Sequence, residues 1–260
     1  MFAAIGRTAI TFLNYLGEVA HLMRETVTAL FVARIRWRLV LQQLYEIGTR
    51  SQLVVAVTGA FTGAVFAAQL YFQLKRFGME TTVGSVTAVA IFRELGPALS
   101  GLMVAGRVGA AIAAEIGTMK VTEQVDALRA LGVHPVDYLV VPRAIAMVIS
   151  MPLLVLEACA LALVACYYVS VNMLGVPEAS FMRNLEYWVV LEDIYKAVIK
   201  GFAFGVLIVF VACHQGLKTS NGAAGVGRAP TEAVVIASLS ILVFNFILTF
   251  ALNVLFPVGV

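Results

Sequence analysis

Residues 83–105 read VGSVTAVAIFRELGPALSGLMVA, an apolar run that the charged pair Arg93-Glu94 interrupts near its centre. As a helix, the run is long enough to cross the hydrocarbon core of a bilayer. An arginine at the centre of such a helix costs about 2.5–3.5 kcal/mol even on a lenient insertion scale, so it must face protein, water or a polar ligand. The stretch therefore predicts a membrane helix with a polar centre.

Further apolar runs lie on either side of this one. The chain is 61% hydrophobic and 13% charged, and its mean hydropathy is +0.95, values that exclude an ordinary soluble domain. Because the runs are continuous and do not alternate with polar residues, they indicate helices and not barrel strands. The sequence predicts an all-α integral membrane protein with five spans: Ser51–Phe72, Val83–Gly106, Ala144–Asn172, Gly201–Leu217 and Ala233–Val260.

Lysine and arginine are concentrated on one side of these spans. The net charge is only +3, which argues against nucleic acid as a partner. The excess of positive charge predicts a cytoplasmic N-terminus and an external C-terminus, and an odd number of spans agrees. The residues on the predicted cytoplasmic side are Arg7, Arg24, Arg34, Arg36, Arg38, Arg50, Lys120, Arg129, Arg143, Lys218 and Arg228, and those on the other side are Lys75, Arg76, Arg183, Lys196 and Lys200.

The first fifty residues are amphipathic. Polar residues, among them Arg7, Thr11, Asn14 and Glu18, recur every three or four positions, which predicts an interfacial helix over residues 1–30 that lies on the membrane or on the protein itself. The basic patch 34–38, which includes Trp37, is either a headgroup anchor or a solvated loop. We expect one domain over 1–260, with interfacial and elbow helices in 1–50 and the five spans in 51–260.

Two local patterns concern helix geometry. If residues 83–118 form one helix, it is about 54 Å long and exceeds a bilayer core of about 30 Å, so we expect it to extend into the cytoplasm with a kink near Gly96-Pro97. Gly59 and Gly63 form a small-residue pattern in the first span, which predicts close approach of another helix.

Hydrolytic chemistry is not expected in this chain. The sequence has neither a His-Glu-x-x-His nor a Gly-x-Ser-x-Gly motif, and its cysteines, all in predicted spans, suit packing. Residues 222–229 have the glycine spacing of a phosphate-binding loop. They have Arg228 in place of lysine and Ala229 in place of a hydroxyl residue, so a flexible cytoplasmic turn is the preferred interpretation. If ATP drives this protein, another chain binds it.

Arg93-Glu94 is the best candidate site, and three interpretations are open. The pair is a structural ion pair of the bundle, or it lines an ion or proton path to which Glu157 adds a second carboxyl, or it binds the polar head of an amphipathic substrate. Successive helical residues project about 100° apart, so one side chain can face the substrate while the other fixes a neighbouring helix.

Residues 120–131 read KVTEQVDALRAL and predict a short amphipathic helix between two spans. Thr122 can cap it, and Gly132 and Pro135 end it. An apolar face would contain Val121, Val125, Leu128 and Leu131. Such a helix suits either docking into a groove of a cytoplasmic partner or contact with the membrane surface.

Several motifs together resemble the MlaE/YrbE permease family, the membrane subunit of Mla- and Mce-type lipid ABC transporters. They are Phe92–Pro97, Ala105–Gly109, Ala114–Lys120 and Thr122–Leu128, and the glycine-rich 222–229 stretch resembles the last cytoplasmic loop of the family. The resemblance covers nearly the whole chain and is most specific from 92 to 143.

The resemblance implies a homodimer of five-span subunits in the bacterial inner membrane. Its implied partners are a cytoplasmic ABC ATPase, a periplasmic MCE-domain protein and, as an optional subunit, a STAS-domain protein. ATP and Mg would be bound by the ATPase, and no cofactor is expected in this chain. The substrate would be phospholipid that moves between the inner and outer membranes.

The resemblance also implies two groups of site residues. The lipid-binding group is Arg93, Glu94, Phe66, Leu70, Leu74 and Phe77. The group that couples to the ATPase is Lys120, Glu123, Gln124, Asp126, Leu128 and Arg129. Two alternatives from other classes are an ion- or proton-coupled secondary transporter and a structural membrane anchor for a cytoplasmic complex.

Overall fold

The computed structural model describes residues 2–32, 35–220 and 222–255, and every regular element in these ranges is helical. π-Helical turns at Ile91–Leu95, Ala105–Gly109, Val136–Val140 and Tyr168–Met173 adjoin some of the helices. The α-helices are α1 (Phe2–Val32), α2 (Trp37–Ile47), α3 (Gln52–Leu74), α4 (Val83–Ala90), α5 (Gly96–Val104), α6 (Ala110–Val121), α7 (Gln124–Ala130), α8 (Val141–Tyr167), α9 (Glu178–Trp188), α10 (Leu191–Leu217) and α11 (Gly222–Leu255).

Among the residues that the structure describes, five helical segments are long and apolar enough to cross a membrane, which confirms the predicted all-α, five-span fold. Each is longer than its predicted apolar run, because an apolar run marks only the part in hydrocarbon while helical hydrogen bonding continues into polar sequence. Residues 256–260 of the predicted fifth span lie outside the described residues. The segments are Trp37–Phe77, Glu80–Val121, Val136–Met173, Leu191–Leu217 and Gly222–Leu255.

The second span is one long helical segment, as its length predicts. Helical residues continue from Val83 to Val121 through two π-helical turns. The first of these turns, Ile91–Leu95, lies immediately before Gly96-Pro97. The irregularity predicted at this dipeptide therefore takes the form of a local change in hydrogen-bond pattern, which a proline induces because it has no N–H to donate.

Close packing of α3 against α8 confirms the prediction from the two glycines of the first span. A Cβ on Gly59 would lie 2.6 Å from the carbonyl oxygen of Ala158, and one on Gly63 would overlap the carbonyl oxygen of Ala162. Only glycine lets the two backbones approach this closely.

α8 and α10 form the centre of the bundle, whereas α3 and α11 are peripheral. In the most apolar 18-residue stretch of α10, 67% of the residues are buried. In the corresponding stretches of the first and fifth spans, 17% are buried. Large apolar side chains therefore remain exposed on the two peripheral helices. They include Leu53, Phe61 and Phe72 on α3, and Leu239, Phe246 and Phe250 on α11.

The predicted glycine-rich turn at 222–229 is wrong. These residues form the first turns of α11, which begins at Gly222 with φ of +61°. The turn interpretation fails because α11 continues without interruption into the fifth span, so the glycines extend an established helix. The 175–195 segment also contains a helix, α9.

α1 is a helix, as predicted, and a charged cluster holds it against the end of α10. Glu18 Oε2 lies 2.9 Å from His214 Nε2 and accepts a hydrogen bond from Lys218 Nζ at 2.7 Å. The hydrogen bond from Lys218, followed by that from His214, lowers the pKa of Glu18 below its ordinary value. Arg36 of the predicted basic patch lies over the ring of Tyr138, whereas Arg34 is outside the described residues.

Candidate functional site

Arg93 and Glu94 lie in the π-helical turn that precedes Pro97. Proline has no backbone N–H, so the carbonyl of Arg93, four residues earlier, lacks the donor that a regular helix would provide. The Nζ of Lys200 on α10 donates a hydrogen bond to this carbonyl at 2.6 Å. The proline therefore creates an acceptor inside the bundle, and a buried lysine from another span satisfies it.

The Arg93 side chain binds Asp193 in the first turn of α10. Arg93 Nε donates to Asp193 Oδ1 at 2.6 Å. The Asp193 side chain is fully buried, whereas 26% of the Arg93 side chain is exposed. A buried carboxylate without a counter-charge is strongly destabilising, so Arg93 is needed to neutralise Asp193 while part of its own side chain stays accessible.

Glu94 connects the second span to both the fourth and the fifth. Its Oε2 lies 3.0 Å from Lys200 Nζ and accepts a hydrogen bond from Asn245 Nδ2 at 2.8 Å. The hydroxyl of Thr249 lies 2.8 Å from Glu94 Oε1. Lys200 is only 2% exposed, whereas 38% of the Glu94 side chain is exposed. Glu94 is thus fixed on one side and accessible on the other.

We call Arg93, Glu94, Asp193 and Lys200 the charged network. Both members of the predicted pair form ion pairs with α10 and remain partly exposed, and the two α10 residues that hold them are almost completely buried. The network presents one cationic and one anionic side chain at the surface of a single subunit. Both belong to an otherwise apolar membrane span.

Asp193 and Lys200 are not among the site residues predicted from the sequence. Asp193, Lys196 and Lys200 are spaced by three and four residues, so they share a face of α10. That spacing at the start of an apolar span is the signal that could have identified them as partners for Arg93-Glu94. Asn245 and Thr249, inside an uncharged apolar run, carry a weaker signal of the same kind.

The predicted apolar wall residues lie along α3 and just beyond it. Phe66, Leu70 and Leu74 are partly buried, and the two leucines pack on a cluster that includes Tyr71. Phe77, in the turn after α3, is 77% exposed. These side chains follow α3, whereas the side chains of the charged network are turned toward α10 and α11.

A single subunit offers little space between α3 and the π-helical turn. The crevice there has a volume of about 10 Å³ and is lined by Thr58, Gly59, Leu95 and Leu99, among others. This is space for about one water molecule, far less than an acyl chain requires. A cavity for a large substrate beside the π-helical turn would have to be completed by another chain.

The predicted coupling segment contains a helix, but it begins differently from the prediction. The Thr122 hydroxyl donates to the carbonyl of Thr118 in the preceding helix, so it does not cap α7. The chain reverses at Glu123, which has a left-handed φ of +60°, and α7 follows from Gln124 to Ala130. The capping prediction is wrong because α6 extends to Val121, which leaves Thr122 within reach of the last turn of that helix.

One ion pair fixes α7 against the end of α6, and a second lies within α7. Lys120 Nζ lies 2.9 Å from Asp126 Oδ2, and Arg129 Nη1 lies 3.2 Å from Asp126 Oδ1. The hydrogen bond from Lys120 lowers the pKa of Asp126. Val125 is completely buried and Leu131 is 78% exposed, so the predicted apolar face is divided between the core and the surface.

A groove of about 540 Å³ runs beside α7. Lys120, Val125 and Arg129 form one wall, and Leu22 of α1 and Leu217 of α10 contribute to the others. The exposed side chains of Glu123, Gln124 and Arg129 lie on this surface of the molecule, while Leu128 is partly buried. The segment thus presents a largely polar and charged surface, and buried Val125 holds it against the core.

The sequence is similar to those of several known proteins. Residues 40–251 match the family model described as Permease MlaE. A probable ABC transporter permease protein of Rickettsia felis is 40% identical over 95% of each chain. The chloroplastic protein TRIGALACTOSYLDIACYLGLYCEROL 1 of Arabidopsis thaliana is 39% identical over 86% of this chain and 64% of its own.

A relative with a more specific name comes from Haemophilus influenzae. Its intermembrane phospholipid transport system permease protein MlaE is 35% identical over 95% of each chain. The family model and these relatives extend over the membrane spans, the charged pair and α7 alike. The chain belongs to the MlaE permease family of ABC transporters.

Proposed function

We propose that this protein is the permease subunit of an ATP-driven transporter that moves phospholipid between the inner and outer membranes of a bacterial cell. Membership of an ABC transporter permease family implies an ATPase partner and a multi-pass membrane location. The name of the Haemophilus relative supports phospholipid as the substrate. ATP and Mg would be bound by the partner ATPase.

The observation that carries this proposal is the partial exposure of Arg93 and Glu94 in an apolar span. Their counter-charges, Asp193 and Lys200, are buried, so the exposed parts of Arg93 and Glu94 are free to meet a polar group from outside the subunit. A guanidinium is a forked donor that suits a phosphate. A phospholipid supplies such a group, and its acyl chains need the apolar walls around it.

The exposed apolar faces of α3 and α11 support a homodimer. The crevice inside one subunit is too small for an acyl chain, and large apolar side chains of these two helices remain mostly exposed in the single subunit. In the proposed arrangement, two copies enclose a lipid cavity whose walls include Phe66, Leu70, Leu74 and Phe77. Each buried CH₂ of the lipid would contribute about 0.8 kcal/mol.

In the proposed cycle, the partner ATPase binds the 120–131 segment. Closure of the ATPase on ATP would move α7. The ion pair between Asp126 and Lys120 would transmit that motion to α6 and so to the rest of the second span, which carries Arg93. The cavity would then narrow, and the lipid would pass to a periplasmic MCE-domain protein. A STAS-domain subunit is an optional cytoplasmic member of the assembly.

The test is to exchange Arg93 for alanine and measure co-purified phospholipid by mass spectrometry. Because Arg93→Ala alone leaves Asp193 unpaired, the double variant Arg93→Ala/Asp193→Asn is measured as well. We expect both variants to lose bound lipid and lipid transport while they still recover the ATPase. Arg183→Ala, on the exposed surface of α9, is the matched control.

Normal lipid content and normal transport in the double variant would contradict the assigned role of Arg93. Transport that continues without ATP and stops when the proton gradient is dissipated would favour a secondary transporter instead. A structural anchor would be favoured if both Arg93 variants function normally and only changes in 120–131 disrupt the assembly.

A further inference from the structure

Glu157 lies at mid-membrane depth in α8. The next residue, Ala158, packs against Gly59 of α3, which is well inside the apolar run of the first span. Cys159 Sγ lies 3.9 Å from the carbonyl oxygen of Ile91, at the start of the turn that carries Arg93 and Glu94. Glu157 is therefore at about the level of the charged network, within the hydrocarbon region of the bundle.

Glu157 belongs to an exposed face of α8. Residues at helical spacing around it are exposed: Ile149 by 45%, Leu153 by 61% and Val164 by 63%. Ala160 is also exposed, and Glu157 itself is partly exposed. We call these five residues the Glu157 face. It is apolar except for the carboxyl at its middle.

Within the described ranges of the chain, no hydrogen bond or ion pair reaches the Glu157 side chain. This distinguishes it from the charged network, in which Arg93 pairs with Asp193 and Glu94 with Lys200. A carboxyl in hydrocarbon is unfavourable when ionised, and it also loses hydrogen bonds when it is protonated. Glu157 therefore needs a donor from outside the subunit.

We propose that the Glu157 face docks one membrane-spanning helix of another chain, and that a hydrogen-bond donor on that helix binds the Glu157 carboxyl. The donor is a hydroxyl, amide or ammonium group at the middle of the helix. The chemistry of the face supports this occupant, because a single acceptor among apolar residues is complementary to a single donor on an apolar helix. Ala160 is small and lets the two backbones approach closely beside the carboxyl.

A second copy of this chain is a poorer occupant. A twofold contact through the Glu157 face would bring two carboxyls together, and they would repel each other whenever both are ionised. The exposed apolar faces of α3 and α11 offer self-association surfaces without a mid-span carboxyl. A lipid phosphate is also unsuitable, because it is an anion and has no hydrogen-bond donor to offer the carboxyl.

The first test uses dicyclohexylcarbodiimide, an apolar reagent that modifies protonated carboxyls accessible from the bilayer. The chain expressed alone and the complex purified through this chain are each placed in nanodiscs, treated, and analysed by peptide mass spectrometry. We expect Glu157 to be modified in the chain alone and protected in the complex. Equal modification in the two samples would overturn the proposal, since it would show that Glu157 faces lipid in the assembly.

The second test identifies what covers the face. A photo-reactive amino acid replaces Leu153 or Val164 in the complex, and Val243, similarly exposed on α11, serves as the control position. We expect cross-links from the first two positions to a membrane-spanning peptide of another subunit that has a donor side chain within one turn of the cross-link. Glu157→Leu should reduce the yield, and Glu157→Gln, whose amide oxygen still accepts a hydrogen bond, should preserve it.

Cross-links to lipid alone, or to a second copy of this chain, would overturn the proposal. So would an undiminished yield with Glu157→Leu, because the carboxyl would then contribute nothing to docking. Glu157→Gln retains the size and polarity of the side chain, so its yield separates loss of the contact from loss of the fold. Neither test depends on which molecule is transported.

Discussion

Arg93 and Asp193 differ in burial, and this difference determines which substitution does more harm. Asp193 is fully buried, whereas a quarter of Arg93 is exposed. Removal of Arg93 leaves a buried carboxylate that has lost its 2.6 Å contact with the guanidinium and keeps a longer hydrogen bond, 3.4 Å, from the backbone N–H of Val190. Removal of Asp193 leaves a charge that solvent, lipid or a partner chain can approach.

We expect Arg93→Ala to destabilise the protein more than Asp193→Ala. The loss of one partner from a buried pair typically costs about 3–5 kcal/mol, and Arg93→Ala should approach that range because Asp193 is left unpaired. The double variant Arg93→Ala/Asp193→Ala should recover much of the loss. Thermal unfolding of the purified protein in detergent measures the three variants. Equal destabilisation by the two single substitutions, with no recovery in the double variant, would contradict this account of the pair.

A second residue-scale prediction concerns pH and the attachment of α1. The hydrogen bond from Lys218 lowers the pKa of Glu18 from its ordinary 4.5. The folded pKa lies below the unfolded one, so the stabilising contribution of Glu18 is fully present above pH 4.5 and is lost as the pH falls below that value. Attachment through Glu18 should therefore not weaken between pH 7 and pH 5.

Spin labels on α1 and on the end of α10 report this attachment as a distance distribution. We expect the same short distance at pH 7 and pH 5 and a broader distribution in strong acid. Glu18→Gln should broaden the distribution at neutral pH. A narrow distribution in that variant at pH 7 would show that Glu18 does not hold α1.

At the scale of helices, close contact between α3 and α8 depends on glycine. A side chain at Gly63 would overlap the carbonyl oxygen of Ala162, which belongs to a rigid helix backbone. We expect Gly63→Leu to separate the two helices and to lower the yield of folded protein, with a cost of about 1–3 kcal/mol or more. Gly106→Ala is the control, because nothing lies within 4 Å of a Cβ at that position.

Size-exclusion chromatography and thermal unfolding in detergent measure this effect. A Gly63→Leu variant that unfolds at the same temperature as Gly106→Ala would show that α3 can move away from α8 without cost. The small-residue pattern would then have no role in this pair of helices.

The exposed charge of α7 provides a prediction at the same scale. Arg129 has 61% of its side chain exposed, so its reversal should leave the fold intact. We expect Arg129→Glu to reduce recovery of the ATPase with the purified permease, because the charge that Arg129 presents beside α7 is reversed. Arg183→Glu, on the exposed surface of α9, should leave recovery unchanged. Quantitative mass spectrometry of the purified complexes makes the comparison, and equal recovery from both variants would remove α7 from the proposed ATPase interface.

Some elements could be predicted from sequence because their signals are local. Apolar runs indicate the five spans, and the spacing of Gly59 and Gly63 indicates a close helix contact. The start of α11 and the capping of α7 were mispredicted for the opposite reason. Glycine and threonine have weak local conformational preferences. The neighbouring helices extend further than their apolar sequence and therefore determine the conformation at both positions.

Only two of the four residues of the charged network could be predicted from the sequence, for a related reason. Arg93 and Glu94 stand out because each is a charge inside an apolar run. Asp193 and Lys200 lie a hundred residues or more along the chain, near a span boundary where charges are common. Only the packing of α10 against the π-helical turn shows that all four belong to one network.

At the scale of the whole molecule, the exposed surfaces divide by character. α3 and α11 present large apolar faces, α8 presents an apolar face with one carboxyl, and the end beside α7 presents charge. Each surface suits a different partner: a second copy, a separate membrane helix and a cytoplasmic ATPase, respectively. A single subunit therefore leaves these surfaces uncovered, and the proposed lipid cavity would form only in the assembly.

A density map of the assembled particle, purified with its native lipid, tests the central claim most directly. We expect two copies of this chain with lipid density between them, a headgroup beside the exposed parts of Arg93 and Glu94, and the ATPase seated on residues 120–131. A map in which protein side chains seal Arg93 and Glu94, with no space between the copies and nothing bound at 120–131, would contradict the account.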